Sequence, residues 1–407
     1  MERNSVLSSD SPLSIYIHVP FCVSKCAYCD FYSIPCGRRE QAAPSRTCAD
    51  TEDPVSLQKR YVSALCRQME LASKRYSRPT VSTVFIGGGT PSILKTEDML
   101  KITETLYRCF DVQGDAEFTV EANPETVNLK KLKEYRKMGI NRISFGMQSA
   151  LETELKALSR IHTLKSVKEA VKNARIAGFE NVNLDIMYAL PYQTAESFKT
   201  TLDTVVSLSP EHVSVYGLQL EEGTPLFDNK EKLIFPGEDG ENEMNALALD
   251  VLSKSGYRRY EISNYAKKGF ECKHNLCYWT LGEYLGFGTA AHSFKDKKRY
   301  GIKKDISAYC ISSDFSDVTE TEEALTEESA VEEYIMLSMR LCKGLSIERL
   351  YAMTAKADIY LKRAEPFIKG GFVELVNSHG EIKSAFLRFT PKGFNVSNTV
   401  LSEIIYG

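Results

Sequence analysis

Three cysteines near the amino end of the chain have the spacing of a cluster-binding loop. Cys22, Cys26 and Cys29 follow the pattern C-x3-C-x2-C, between a β-rich run and an aromatic turn. Three thiolates on one short loop can hold three corners of a [4Fe–4S] cluster, because soft sulfur ligands suit iron. The fourth iron would then lack a protein ligand and could bind a small molecule. We therefore predict such a cluster at these residues, which we call the three loop cysteines.

Structural zinc is the alternative reading of the same residues. Zinc sites normally use four protein ligands, often in paired C-x2-C knuckles. Cys36 or Cys48 could complete such a set, but both lie in a stretch rich in Pro, Ser, Thr and charged residues. The three-plus-two spacing that follows a predicted strand favours the iron cluster. The polar stretch itself, residues 34–55, is predicted to be a mobile surface insertion.

Composition sets the broad class of the protein. The chain has 407 residues, 43% of them hydrophobic, and a formal net charge of −3, which is typical of an ordinary soluble protein with a sizeable core. This balance gives no reason to expect nucleic acid as a partner. The amino terminus lacks the apolar region of a signal peptide, and no uncharged apolar run approaches the ~20 residues of a membrane span. Eleven cysteines without a disulfide-like framework indicate a reducing compartment, and we predict a cytoplasmic location.

Short apolar runs alternate with helical patterns between Leu13 and Leu218. Apolar residues recur at intervals of three and four in the helical segments, as amphipathic helices require. Alternating strands and helices predict a parallel α/β sheet, and six repeats suggest a partial (β/α)6 barrel, although another α/β architecture has the same periodicity. The six predicted strands are Ser14–Val19, Thr83–Ile86, Glu117–Val120, Arg142–Phe145, Asn181–Ile186 and His212–Leu218.

Each predicted strand ends in residues that could bind a ligand or a metal. The first runs into the three loop cysteines, and the second into Gly87-Gly88-Gly89-Thr90. Consecutive glycines let backbone approach a ligand closely, and we expect their amides to face it. Glu121, Gln148 and Asp185 lie at the next three strand ends. Because loops at the carboxyl ends of barrel strands converge over one mouth, six such endings predict a single shared site.

The string from Tyr16 through His18-Val19-Pro20-Phe21 to Cys29-Asp30-Phe31 resembles the radical S-adenosylmethionine (SAM) superfamily. Within it, the string is similar to the family of the anaerobic coproporphyrinogen III oxidase HemN and the heme chaperone HemW, and the similarity covers nearly the whole chain. The resemblance implies the radical SAM barrel, a [4Fe–4S] cluster, and reductive cleavage of SAM to a 5′-deoxyadenosyl radical. It also implies contacts to SAM from Tyr16, Tyr28, Gly88, Gly89, Thr90, Glu121, Gln148, Arg160 and Asp185.

A second motif follows the predicted barrel. His274-Asn275-Leu276-Cys277-Tyr278-Trp279 holds the only tryptophan of the chain, and it matches the H-N-x-x-Y-W motif of HemW-like proteins, where it is associated with heme binding. The resemblance therefore implies His274 as a heme ligand, since imidazole can ligate heme iron. A purely structural role, closing the barrel against a second domain, is the alternative. Cys272 and Cys277 flank His274 as a further ligand set.

The predicted organisation has three parts. Residues 1–225 form the radical SAM barrel, and residues 226–325 close and connect it. Residues 326–407 are predicted to form a winged-helix-like part, with three helices beginning with Tyr334–Cys342, then a hairpin and a final helix. The acidic stretch before the first helix is predicted to be exposed to solvent. This part is not strongly basic, so we interpret it as a lid or packing domain rather than a DNA reader.

Two departures from the oxidase pattern favour the chaperone branch of the family. Phe31 stands where HemN-like enzymes usually carry a further cysteine, and the cluster loop comes unusually early in the chain. We therefore predict a heme chaperone that binds a [4Fe–4S] cluster, SAM and heme, and transfers heme to an acceptor protein. Its expected partners are that acceptor, an electron donor and, transiently, membrane-bound heme proteins. The alternatives are an oxygen-independent coproporphyrinogen III oxidase and a radical SAM enzyme acting on another tetrapyrrole.

Overall fold

The first half of the chain alternates strands and helices, as the sequence pattern predicts. The computed structural model describes residues 12–36, 53–377 and 385–407. In chain order the elements of this half are β1 (Leu13–Val19), β2 (Phe21–Cys22), β3 (Ile34–Pro35), α1 (Pro54–Arg75), β4 (Thr80–Gly88), α2 (Thr96–Cys109), β5 (Asp111–Ala122), α3 (Leu129–Lys137), β6 (Arg142–Gln148), α4 (Glu152–Ala157), α5 (Leu164–Ile176), β7 (Asn181–Tyr188), α6 (Ala195–Leu208) and β8 (His212–Gly217).

The six predicted strands are all present and lie side by side in the order β1-β4-β5-β6-β7-β8, every neighbouring pair parallel. Successive side chains of a strand point to opposite faces. Ile15, Ile17 and Val19 of β1 accordingly join the core beneath the helices, whereas Ser14 belongs to a polar network that also includes Thr83 of β4. This alternation confirms the predicted α/β barrel class and gives the sheet a polar inner face.

The connecting region extends the sheet on both sides. Strand β11 (Tyr284–Phe287) pairs with β1 in parallel, and β10 (Asn264–Ala266) pairs with β8 in antiparallel fashion. Among the described residues the outermost strands, β14 (Thr319–Ala324) and β9 (Arg258–Arg259), do not pair, so the barrel is partial. The elements are α7 (Pro225–Asp228), α8 (Gly237–Lys254), β9 (Arg258–Arg259), β10 (Asn264–Ala266), α9 (Lys273–Trp279), β11 (Tyr284–Phe287), β12 (His292–Lys295), β13 (Lys298–Ile302), α10 (Ile306–Ile311) and β14 (Thr319–Ala324).

The carboxyl-terminal helices and a three-stranded sheet share a separate apolar core that also takes in Leu281 and Phe294. The predicted first helix, Tyr334–Cys342, is wrong in its bounds, because Thr326 caps an earlier start and two glutamates in the first turn suit the helix dipole. The elements are α11 (Glu327–Ser338), β15 (Leu345–Ser346), α12 (Ile347–Met353), α13 (Ala357–Lys369), β16 (Val373–Val376), β17 (Phe386–Phe389), α14 (Pro391–Phe394) and α15 (Ser397–Tyr406).

The predicted insertion, residues 34–55, is shorter than expected at both ends. Ile34–Pro35 forms β3 and pairs with β2, while α1 begins at Pro54 with Asp53 as its cap. Residues 37–52, including Cys48, lie outside the described residues. In the part of the chain that the structure describes, none of the helices has the length and apolarity needed to cross a bilayer.

Candidate functional site

The strand ends surround one cavity of about 430 Å³ at the carboxyl edge of the parallel sheet. This is the arrangement expected of a parallel α/β barrel, whose loops meet at that edge. The size is that of a small-molecule site, for which about 300–1,000 Å³ is usual. The predicted site residues that line it are Cys22, Cys26, Tyr28, Cys29, Gly88, Gly89, Thr90, Glu121, Gln148, Arg160 and Asp185.

Backbone hydrogen bonds hold the cysteine loop over this cavity. The amide of Ala27 donates to the Leu158 carbonyl over 3.1 Å, and the Leu226 amide donates to the Ala27 carbonyl over 2.9 Å. A small apolar cluster that includes Leu158 and Leu226 packs against Ala27 and Tyr28. The loop is therefore anchored from two directions by residues far away in sequence, which a sequence pattern does not reveal.

The three loop cysteines are free thiols on one wall of the cavity. Burial raises the pKa of Cys22, and it raises the pKa of Cys29 to about 11, so metal binding must displace protons from these groups. Within the described ranges, no three His, Cys, Asp or Glu side chains could hold a single metal ion together. A [4Fe–4S] cluster needs no such convergence, since each cysteine binds a different iron, so the donor set fits the cluster.

The glycine run is shaped by close contacts with the rest of the protein. Gly88 has a φ of +105°, and a Cβ there would clash with the His18 ring. Its amide donates to Glu121 Oε2 over 3.1 Å, while the amides of Gly89 and Thr90 donate to the backbone carbonyls of Val19 and Phe21. These hydrogen bonds tie the glycine run to β1, to β2 and to Glu121, and the expected contact of its amides with a ligand stays a prediction.

Two carboxyl groups, Glu121 on β5 and Asp185 on β7, share the inner wall of the cavity. Burial, together with the nearby Asp185, raises the pKa of Glu121 to about 8. Burial also raises the pKa of Asp185, against hydrogen bonds that favour its charged form. Ser144 Oγ donates to Asp185 over 3.0 Å and Asn183 Nδ2 donates over 2.8 Å. A bound cationic group would therefore find one carboxylate already oriented by donors and a second ready to lose its proton.

Arg160 lies at the cavity with its guanidinium in a network of three acceptors. It donates to Cys26 Sγ over 3.3 Å, to the Gly146 carbonyl over 2.7 Å and to His162 Nδ1 over 3.2 Å. The Arg160 guanidinium, which the family resemblance places in contact with SAM, is thus engaged with the protein at each of its three nitrogens. Any contact with a carboxylate would use the remaining N–H groups.

Two predicted site residues lie below the cavity instead of lining it. The Tyr16 hydroxyl contacts His18 Nδ1 at 3.0 Å, and its ring stacks on Phe85, which in turn stacks on His274. His274 is only 1% exposed. Its Nδ1 lies 2.8 Å from Thr83 Oγ1 and its Nε2 lies 2.8 Å from the Tyr278 hydroxyl, so both ring nitrogens already have partners.

The helix that carries His274 is fixed to the barrel by a buried carboxylate that the sequence did not single out. Glu117 is 5% exposed. Its oxygens accept hydrogen bonds from the backbone amides of Lys273 and His274, both over 3.0 Å, and from Cys272 Sγ over 3.3 Å. Glu117 thereby caps α9 from inside the barrel.

Several further cavity residues were also missed. Ser144, Met187 and Tyr216 line the cavity together with the predicted residues of their strands or of neighbouring ones. The signal was available in the period of two along each strand, because Met187 follows Asp185 on the same face of β7. The strand-end argument considers only a few residues per strand, and it overlooks others on the same strand that also line the cavity.

Comparison with known proteins agrees with this site. The family model described as "Radical SAM superfamily" matches residues 16–205, which run from within β1 into α6. The match includes all of the predicted cluster and SAM residues. Membership of this superfamily implies a [4Fe–4S] cluster and SAM as cofactors. The loop cysteines and the strand-end residues thus lie within the matched region.

Three relatives carry the name heme chaperone HemW. The protein of Bacillus subtilis is 36% identical over 343 residues, which cover 83% of this chain and 85% of the relative. That of Lactococcus lactis is 31% identical over 398 residues, or 97% of each chain. The Escherichia coli protein is 38% identical over 281 residues, or 69% of this chain and 70% of the relative.

A solved structure of coproporphyrinogen III oxidase (HemN) from Escherichia coli, titled a radical SAM enzyme, superimposes with a TM-score of 0.81. It covers 98% of this chain and 92% of that one at 22% identity, a likeness that concerns the fold alone. The sequence identity to the HemW relatives extends over more than two thirds of their lengths. This identity, rather than the shared fold, assigns the chain to a family. The chain belongs to the HemW family of the radical SAM superfamily.

Proposed function

We propose that this protein is a heme chaperone that binds a [4Fe–4S] cluster, SAM and heme, and passes heme to an acceptor protein. The family assignment supports this function, since the relatives that cover most of the chain are named heme chaperones. The observation that carries the site is the single cavity in which the three loop cysteines meet the strand-end residues. One cavity thus offers sulfur donors for a cluster beside polar groups for a charged ligand.

In this proposal, the three loop cysteines hold the cluster and leave one iron for SAM. When bound, the cluster supplies single-electron chemistry. The protein positions the ligand and restricts access of water to it. Glu121 and Asp185 would accept hydrogen bonds from the ammonium or ribose groups of SAM, and Thr90, Gln148 and Arg160 would supply further polar contacts. Tyr28, Gly88 and Gly89 complete the wall, and Tyr16 would act from the layer below.

The oxidase alternative is tested by an anaerobic incubation with reductant, SAM and coproporphyrinogen III, read by mass spectrometry. For a chaperone we expect a loaded cluster and no decarboxylated porphyrinogen. Decarboxylated product together with 5′-deoxyadenosine would make the protein an oxidase and would overturn the proposal. Phe31, which is 57% exposed and lines the cavity where the oxidase pattern has a cysteine, favours the chaperone.

Heme transfer is the direct assay. The heme-loaded protein is mixed with apomyoglobin, and the shift of the Soret band reports transfer of heme to the globin. We expect transfer faster than release into buffer containing albumin at the same concentration. Equal rates with the two acceptors would show passive dissociation, and the chaperone role would fail.

Ligation of heme by His274 remains a prediction, and its hydrogen bonds suggest a sharp test. If Nε2 ligates iron, it must first leave the Tyr278 hydroxyl, so Tyr278→Phe should strengthen heme binding, while His274→Ala should weaken it. If the imidazole only supports the fold, Tyr278→Phe leaves heme affinity unchanged. Titration of each variant with hemin, followed by the Soret absorbance, separates the two roles, and the iron content checks that the cluster is intact.

The remaining assignments extend the same proposal. We propose a cytoplasmic location, an unidentified electron donor for the cluster, and transient contact with membrane-bound heme acceptors. The proposed domains are residues 1–225 for the barrel, 226–325 for the connecting region and 326–407 for the winged-helix-like part. The separate apolar core around Leu350 supports the last of these. Limited proteolysis of the holoprotein would test the boundaries, and cuts concentrated inside residues 330–400 would count against them.

A further inference from the structure

A buried histidine outside the predicted site contacts the arginine that reaches the loop cysteines. His162 is 3% exposed, and it is not among the predicted cluster or SAM residues. Its Nε2 lies 2.9 Å from the Met147 carbonyl oxygen, and its Nδ1 accepts from Arg160 Nε over 3.2 Å. The next nitrogens of the same guanidinium reach Cys26 Sγ and the Gly146 carbonyl.

The partners of His162 determine its protonation state. A carbonyl oxygen only accepts hydrogen bonds and a guanidinium only donates them, so Nε2 must carry the proton and Nδ1 must be bare. Burial and the neighbouring Arg160 charge lower the pKa of His162 to about 4, in agreement with a neutral ring. The ring therefore acts as a fixed acceptor that orients the guanidinium plane.

Arg160 and His162 also form hydrogen bonds with the irregular end of strand β6. The register of β6 against β7 shifts between Gly146 and Gln148, and Gln148 has a φ of +61°, an uncommon backbone conformation for a residue with a side chain. Arg160 and His162 bind the two successive carbonyls at this bulge. A Cβ on Gly146 would lie 3.0 Å from Arg160 Nη2, so the glycine is what lets the guanidinium lie there.

We propose that His162 is a positioning residue that holds the Arg160 guanidinium against the Cys26 sulfur and so adjusts the reduction potential of the cluster. A cationic hydrogen-bond donor at a ligand sulfur stabilises the added electron, because it offsets the negative charge of the reduced cluster. Losing this donor should make the cluster harder to reduce. The inference rests on the proposed placement of the cluster on the three loop cysteines.

The test is an anaerobic redox titration of the reconstituted holoprotein without SAM, followed by electron paramagnetic resonance. His162→Leu removes both hydrogen bonds, and we expect its midpoint potential to become more negative. His162→Gln can still accept from Arg160 and donate to Met147, so we expect it to stay near the parent value. Arg160→Lys should shift the potential in the same direction as His162→Leu, and the double variant should shift no further, because His162 acts through Arg160.

Controls separate this role from general destabilisation. Leu350→Ala weakens the carboxyl-terminal core and should lower the melting temperature without moving the potential. If His162→Leu does not take up the cluster, His162→Asn serves instead, since its side chain is too short to bridge both partners. Parental potentials in the Leu or Asn variant at full iron content would overturn the inference. Full iron content in Cys26→Ala would instead show that the cluster placement is wrong.

Discussion

Glu121 is a buried carboxyl group, and its titration should change the stability of the cluster-free protein with pH. Its pKa is raised to about 8 by burial and by the neighbouring Asp185, from an ordinary value of 4.5. The folded protein therefore binds this proton more tightly than the unfolded chain does. It follows from proton linkage that the stabilisation from this group is complete below pH 4.5 and is lost as the pH rises through about 8.

The size of the effect follows from the two pKa values. Integrating the linkage from about pH 5 to about pH 8 gives a loss of about 3.5 kcal/mol from this single group. An unfolding entropy of about 2.1 cal/mol/K per residue gives about 0.85 kcal/mol/K for the whole chain, so this loss lowers the melting temperature by about 4 °C. Glu121→Gln does not titrate, while its amide oxygen can still accept the hydrogen bond from the Gly88 amide.

The assay compares melting temperatures of the parent and Glu121→Gln, both cluster-free, at several pH values from about 5 to about 8. All other titrating groups are common to both proteins, so the difference between the curves reports Glu121 together with its coupling to Asp185. We expect the variant to gain about 4 °C relative to the parent across this range. A difference that stays constant with pH would refute the argument, since it would mean that the carboxyl group is ionised throughout.

Three further outcomes are expected. Replacing the three loop cysteines with Ala should abolish the bound iron and the cluster absorbance of the reconstituted protein, and iron retained in that variant would refute the site. Gly88→Ala should lower the free energy of unfolding by about 1–3 kcal/mol. Gly256→Ala is the control, because Gly256 has a φ of +87° but no atom lies within 4 Å of a Cβ built there. Equal losses of unfolding free energy in the two variants would show that the clash with His18 contributes nothing. Glu117→Ala should lower the free energy of unfolding by about 3–5 kcal/mol, measured by chemical denaturation. It leaves the amides of Lys273 and His274 unpaired. It also removes a neighbour of the buried Arg142, whose pKa is lowered by burial and raised by nearby groups that include Glu117. Glu134→Ala, in an exposed ion pair, should cost under about 1 kcal/mol.

Local patterns in the sequence were sufficient for the barrel class. The six strands were predicted from apolar runs of the right length, and all are found in the parallel sheet. Five are longer than predicted, and the sixth, predicted as His212–Leu218, ends one residue earlier at Gly217. The start of α11 was missed, because its first turn is acidic and polar and looks like a solvated segment when no tertiary contact is considered. The pairing of β11 with β1 was also beyond reach, since the two strands are far apart in the chain.

The sequence by itself determined the donor set of the site, because ligand spacing on one loop and residue types at strand ends are local properties. Only the tertiary structure decided what those groups do to one another. Burial in a shared cavity changes the proton affinity of Glu121, and packing brings Arg160, which also donates to His162, to Cys26 across more than a hundred residues. The buried surroundings of His274 are likewise a tertiary fact. Tyr278 lies one turn further along the same helix, but Thr83 approaches the His274 ring only when that helix docks on the barrel. Such contacts depend on desolvation and on long-range geometry, and neither is written in the local pattern.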